Sequence, residues 1–298
     1  LTVTGGASLG CSGEEKTAKG NGWTMNDSIS FAASAEMDNG WVVSTAMTID
    51  SGDLAKDGAS GTAARNIDNR SLKIDMGDAG TLTFYGSAGS SNISLMDDTT
   101  PTAGEESWDD VSSATAHSYG PTGLDTFFYQ NSSLMDGVTI GLDYIPSDGA
   151  AQLESSTAAT IKYTGIDGLT IGAGVGEDNG EGAADARDVT AFNITYAMDA
   201  VSVGYSTYEV DSNAASDAGD TTLTAMGISY AVSDDLSVSL NSSETEIGGS
   251  TDQEAFGISA SMVVGSMTLS ANHNTVENVG GTAGKDRSGY ALGLSFAF

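Results

Sequence analysis

Along most of this chain, large apolar residues alternate one for one with small or polar ones. "DSISFAASAEM" places Ile29, Phe31, Ala33, Ala35 and Met37 on one side of an extended strand. "VTIGLDYI" does the same with Val138, Ile140, Leu142 and Tyr144, and "TAFNITYAM" with Phe192, Ile194, Tyr196 and Met198. The final stretch, "SGYALGLSFAF", carries Tyr290, Leu292, Leu294, Phe296 and Phe298 on one face and Gly, Ala and Ser on the other. A period of two is the signature of a half-buried β-strand. Sixteen such segments can be marked between Leu1 and Phe298. They pair into hairpins through short turns near Asn39, Asp78, Asp136, Asp167, Asp199, Asp234 and Gly265. Between hairpins lie longer polar loops such as "CSGEEKTAKGNG", "GEDNGEGAADARD" and "VDSNAASDAGD". Short turns and long loops alternate, unlike the mixed loop lengths of a sandwich.

Alternation alone does not say which face meets water; strand number does. A closed barrel of sixteen strands is too wide for side chains to fill, so its interior is aqueous and its polar face points inward. The apolar face then needs a nonaqueous solvent, and closure satisfies every backbone group inside a bilayer. The expected fold is therefore all-β: a transmembrane antiparallel sixteen-stranded up-and-down barrel, one domain over 1–298. Aromatic residues on the apolar faces near strand ends, including Trp41, Tyr144, Tyr163, Tyr196 and Tyr230, suit an interfacial girdle. A secreted or surface-attached acidic β-rich structural or adhesive protein is the alternative, separated from a barrel by its solubility without detergent.

Composition narrows the partners. The chain carries 41 acidic and 10 basic residues, a formal net charge of −31. That balance excludes nucleic acid as a partner and favours cations over anions near the surface. Hydrophobic residues make up 39%, too many for a disordered acidic chain. The single cysteine, Cys11, supports neither a disulfide nor a zinc site. No basic, apolar leader opens the sequence, so an exported protein is expected here in processed form. The two histidines, His117 and His273, lie in no nucleophile, zinc-protease or phosphate-loop motif, and no enzyme is expected.

The strand count, the alternation of turns and loops, and the terminal Phe298 together resemble a bacterial outer-membrane general porin of the sixteen-stranded trimeric type. "SISFAASAEMDNGW", "LKIDMGDAGTLTFYG" and "YALGLSFAF" look like the porins of alphaproteobacteria. The resemblance covers essentially the whole chain. It implies a homotrimer in outer-membrane lipid and lipopolysaccharide, passing small hydrophilic solutes by diffusion. It also gives the last strand, with Tyr290, Phe296 and Phe298, the roles of assembly signal and closing partner of the first strand. An aromatic slide of a substrate-specific channel is not expected, since few aromatics (Tyr85, Tyr208) fall on the inward face.

One interval breaks the rhythm. About 37 residues, 87–123, separate "TLTFYG" from "LDTFFYQ". A loop this long is functional or disordered. By resemblance it is the third loop, which enters the barrel and narrows the pore. It carries Asp97, Asp98, Glu105, Glu106, Asp109 and Asp110 and no Lys or Arg. Family porins face this acidic lobe with a basic wall, for which Arg70, Lys73 and Lys162 are the candidates, with Lys16, Lys19 and Arg65 in loops nearby. So few basic residues predict a cation-preferring pore. The paired acids of "MDDTT" and "EESWDD" also offer oxygen ligands for Ca²⁺ around Asp97, Asp98, Asp109 and Asp110, though no EF-hand spacing is present.

Overall fold

The computed structural model describes residues 1–15, 22–50, 67–86, 89–97, 99–115, 125–147, 153–179, 186–213 and 219–298. Sixteen strands form the fold. The first eight are β1 (Thr2–Glu14), β2 (Gly22–Glu36), β3 (Val42–Asp50), β4 (Asp68–Asp75), β5 (Thr81–Tyr85), β6 (Thr126–Met135), β7 (Val138–Ile145) and β8 (Ser156–Ile166). The second eight are β9 (Leu169–Asp178), β10 (Arg187–Met198), β11 (Val201–Ser212), β12 (Thr221–Ala231), β13 (Leu236–Ile247), β14 (Gln253–Val264), β15 (Met267–Glu277) and β16 (Arg287–Ala297). Each strand pairs antiparallel with its sequence neighbours, and β1 pairs with β16, so the sheet closes without an edge. Closure matters because an open edge in hydrocarbon would leave unpaired backbone groups.

The seven short turns fall where the sequence places them. At Asp167-Gly168 the glycine has φ of +72°, and a side chain there would run into the Ala197 carbonyl. The first strand runs further than its alternation suggests, continuing through "CSGE" to Glu14 because its register with β16 extends to Glu14 opposite Gly289.

The polar face points inward. In β13, Ser239, Asn241, Ser243 and Thr245 are buried while Val238, Leu240, Glu244 and Glu246 are exposed. Lateral pairs share a face, so this assignment propagates round the barrel through the registers. The outward surface is zoned. Trp41, Tyr163, Tyr196, Tyr230 and Phe298 lie near the short-turn end, and aliphatic residues fill the middle. Acids stand at the long-loop end of β9 to β15, some directly opposite one another. Glu177 faces Asp188, and Asp188 faces Asp211. Glu244 faces Glu254, and Glu254 faces Glu277.

Buried apolar side chains cluster inside the barrel, where a hollow tube would have none. Ile93, Met96, Trp108 and Val111 from the long third loop pack with inward residues of the strands, among them Val189, Tyr208, Val210, Leu223 and Val276. Tyr208 and Leu223 are fully covered. The third loop therefore supplies the core, and the wall beneath it is locally apolar to receive it.

Candidate functional site: the lumen and its third loop

The loop crosses the inside of the barrel on a track of short polar side chains, each on an alternate, inward position of its strand. At the start, the Asn92 N–H donates to Asp143 Oδ2 (2.8 Å) and the Asn92 amide to Asp143 Oδ1 (2.7 Å) on β7. The Gln130 amide of β6 donates to Asn92 Oδ1 at 2.7 Å. Further on, the Ala103 N–H donates to Ser239 Oγ (2.9 Å), and the Asn241 amide donates to the Pro101 carbonyl (3.2 Å), both on β13. The Asn274 amide of β15 donates to the carbonyls of Glu106 and Asp109, each at 2.8 Å. Beyond that, Gln253 of β14 exchanges two hydrogen bonds with the Thr115 backbone (2.8 and 3.1 Å). An unmet backbone group costs more than a made bond returns, so a loop of irregular backbone inside a barrel needs such partners.

Close approach adds a second constraint. Gly289 on β16 and Gly257 on β14 have no room for a side chain: a Cβ on Gly289 would strike the Asp110 carbonyl, and one on Gly257 would strike Asn274 beside the Ser107 backbone. Glycine lets the loop lie directly on the wall.

The sequence-predicted acidic residues divide by environment. Asp97 closes the short 3-10 turn Ser94–Met96 and is half-buried, while Glu105 and Asp110 are exposed to the lumen. Asp110 also accepts from the Asn272 amide (2.7 Å). Glu106 is buried, and the Asp109 carboxylate accepts the Glu106 N–H at 3.2 Å. Carboxylate oxygens of Glu105, Glu106 and Asp109 lie within 4.8 Å of one another. The tightest acidic grouping among the described residues is therefore this triad, with Asp97 and Asp110 outside it. Asp98 lies outside the described residues.

The basic candidates do not form one cluster. Lys73 faces inward: it pairs laterally with Thr83, Thr83 with Phe128, and Phe128 with Asp143, which holds the loop. Arg70 is three residues from Lys73 and takes the opposite face, that of Leu72, with its guanidinium donating to the Gly86 carbonyl at 3.2 Å. Strict alternation forbids both from lining the lumen. Lys162 faces inward on β8 but sits beneath the loop, bordering a cavity of about 320 Å³ with Leu95, Met96 and Thr99. Its strand meets the first turn of the loop, whereas Glu106 and Asp109 lie against β15, so Lys162 borders the start of the loop and stands apart from Lys73. Lys16, Lys19, Arg65 and His117 lie outside the described residues. The inward Tyr85 and Tyr208 pack rather than line a path: Tyr85 meets Phe128 edge-on at 5.9 Å, and Tyr208 is covered.

At the seam, Phe298 and Gly5 exchange both backbone hydrogen bonds (2.7 and 2.9 Å), and the Phe298 ring lies over Gly5. Phe296 stands opposite Ala7 and Tyr290 opposite Gly13. Glu14 and Arg287, also at this seam, escape sequence reasoning because Glu14 sits in an acid- and lysine-rich run that looks like loop. The signal that could have found Arg287 is its place two residues before Gly289 on the inward face of the last strand.

Comparison with known proteins gives three results. A family model described as Gram-negative porin matches residues 1–258. Solved structures with the same fold include a mutant of the Rhodopseudomonas blastica porin, at 16% identity and TM-score 0.68, covering 100% of this chain and 99% of that one. An anion-selective porin from Comamonas acidovorans aligns at 14% identity and TM-score 0.71, with the same coverage, and a Salmonella typhi OmpF complex with daunomycin at 12% and 0.71, covering 100% and 97%. A search of curated proteins finds no match.

Proposed function

The chain belongs to the Gram-negative porin family, an integral β-barrel of the outer membrane, and on that premise we propose that its channel is a passive, cation-preferring path for small hydrophilic solutes. The observation that carries this reading is the charge in the lumen. Loop acids Asp97, Glu105, Asp109 and Asp110 sit across a barrel whose described inward bases are Lys73, Lys162, Arg187 and Arg287. Of these, Lys162 lies under the loop and Arg287 is held by Glu14 at 3.0 Å. A lumen with acids on one side and few bases to answer them concentrates cations. Between the loop and β1 to β4 the inward wall is mostly Ser, Thr, Gly and Asn, with Asp50, Lys73 and Asp75 as inward charged groups. Acids still outnumber bases there, which suits diffusion with a preference for cations. We assign it no enzymatic role.

Three copies are proposed from the family resemblance, with the charge-poor flank of the barrel, which still carries Asp27 and Arg70 outward, as their contact. Near the long-loop ends of β2, β3, β5 and β7 the outward residues are Trp23, Met25, Ile49, Phe84 and Tyr144, in contrast to the acidic rows of β9 to β15. Those rows stand where a lipopolysaccharide headgroup layer meets the barrel, with divalent cations between the two sets of anions. Within the lumen, Ca²⁺ finds its closest oxygen arrangement at Glu105, Glu106 and Asp109.

Single-channel conductance in a planar bilayer, with a salt gradient, tests the function. Stepwise current with a cation-selective reversal potential is expected. Absence of current from folded, detergent-extracted protein removes the diffusion reading. An anion-selective potential removes the assignment of the loop acids alone. The alternative of a secreted structural protein fits poorly with a closed barrel whose outward belt is apolar.

A further inference from the structure

The far end of the described loop reaches the line where β1 and β16 meet. There the Arg287 guanidinium, through Nη1, donates to Glu14 Oε1 (3.0 Å) and to the Ser112 carbonyl (2.8 Å). The Ser112 N–H donates to the same Glu14 Oε1 at 3.2 Å. The two charged side chains therefore bond to each other and to both backbone groups of one loop residue. Glu14 is the last residue of the first strand and Arg287 the first of the last strand. Their side chains are 5% and 19% exposed, respectively, so water competes little for the bonds. Asp110 and Ser113 on either side hold φ of +60° and +67°, a backbone path that something must maintain. Beside the pair is a cavity of about 570 Å³ bordered by Ser12, Gly22, Asp110 and Ser112, which gives the loop end room to leave the wall.

We propose that Glu14 and Arg287 form a latch that seats the loop end on the closed seam and so fixes the width of the pore. The proposal deepens the channel reading and rests on it. Each half of the latch belongs to a different end of the sheet. Neither half alone answers both Ser112 groups, so the loop end seats fully only on a barrel that has closed. A loop left unlatched swings into the neighbouring cavity and out again, and the current becomes unsteady.

The test is single-channel recording of the full chain and of Arg287→Gln, Glu14→Gln and the double variant. Each is first checked for folding by its heat-modifiable migration on a gel. Losing charge-assisted hydrogen bonds is expected to raise the time spent in flickering or sub-conductance states about tenfold. The double variant should match the singles, because either change breaks the same unit. Folded variants with parental current and noise overturn the latch. So does a lowered thermal midpoint with parental noise, which makes the pair a seam contact only. If Arg287→Gln does not fold, Arg287→Lys and Glu14→Gln are judged by the same two readouts. Failure of all to fold assigns the pair to closure and also overturns the proposal. A parent chain that folds but does not conduct defeats the channel reading instead, a result distinct from every latch outcome.

Discussion

Replacing Asp143 with alanine removes the acceptor that holds the root of the third loop. The Asn92 N–H at 2.8 Å and one hydrogen of the Asn92 amide at 2.7 Å depend on it, and the Ile93 N–H turns to the same carboxylate. The amide's other hydrogen keeps the Tyr129 carbonyl at 3.2 Å, and Asn92 Oδ1 keeps Gln130. Asp143 is 4% exposed and Asn92 5%, so incoming water cannot replace the acceptor freely. Each stranded buried donor costs about 1–3 kcal/mol, and the two Asn92 donors together about 3 kcal/mol, before any share from Ile93. For a chain of this size that corresponds to a fall of about 5–10 °C in the midpoint of thermal unfolding. The midpoint is read from the heat-modifiable gel shift at a fixed heating rate, against the parent in the same detergent. Single-channel noise should rise as well, because Ile93 and Met96 follow Asn92 into the loop's apolar anchor. An Asp143→Ala barrel with the parental midpoint and quiet current would show that the loop root is held by packing alone, and the hydrogen-bond reasoning would fail.

Three other outcomes follow from the geometry. The combined Asp97→Asn, Asp109→Asn and Asp110→Asn variant should lower the cation-to-anion permeability ratio about fivefold at moderate salt, as read from the reversal potential, since each lumen carboxylate acts on passing ions across about one screening length. Phe298→Ala should reduce the yield of folded barrel on refolding into detergent, because the ring that covers Gly5 is lost while the backbone pairing remains; an unchanged yield would reduce that ring to a bystander. Glu254→Gln should raise the thermal midpoint in low salt by relieving repulsion from Glu244 and Glu277, and the gain should vanish in high salt.

The barrel is legible in the sequence because its physics is repetitive. A bilayer belt demands apolar side chains at every second position, and "TAFNITYAM" or "YALGLSFAF" shows them without interruption. All seven short turns coincide with Asn, Asp or Gly at the point where two such runs meet. What alternation hides is the inside. Val189, Ala191, Val210 and Leu223 are apolar on a face that should be polar, and they make sense only once Ile93, Trp108 and Val111 of a distant loop lie over them. Charge is equally hard to place: Arg70 and Lys73 look like neighbours in the sequence, yet the pleat sends them to opposite faces. The polar track is harder still. Ser239, Asn241, Asn272 and Asn274 are ordinary inward residues of a water-filled barrel until a loop backbone is laid along them.

Closure of β1 onto β16 also governs how such a molecule can come apart. Remove any one strand and the remaining fifteen have two open edges in a solvent that offers them no hydrogen bonds. No subset of strands is a smaller version of the whole, so stability cannot be divided among modules as it is in a solenoid. The pairing with the greatest sequence separation, Gly6 with Ala297 and its neighbours, must form before any strand gains its full share. That places a large entropic cost ahead of the reward and makes assembly slow by topology alone. The same feature makes the finished barrel durable, since no strand can peel away without opening the entire ring.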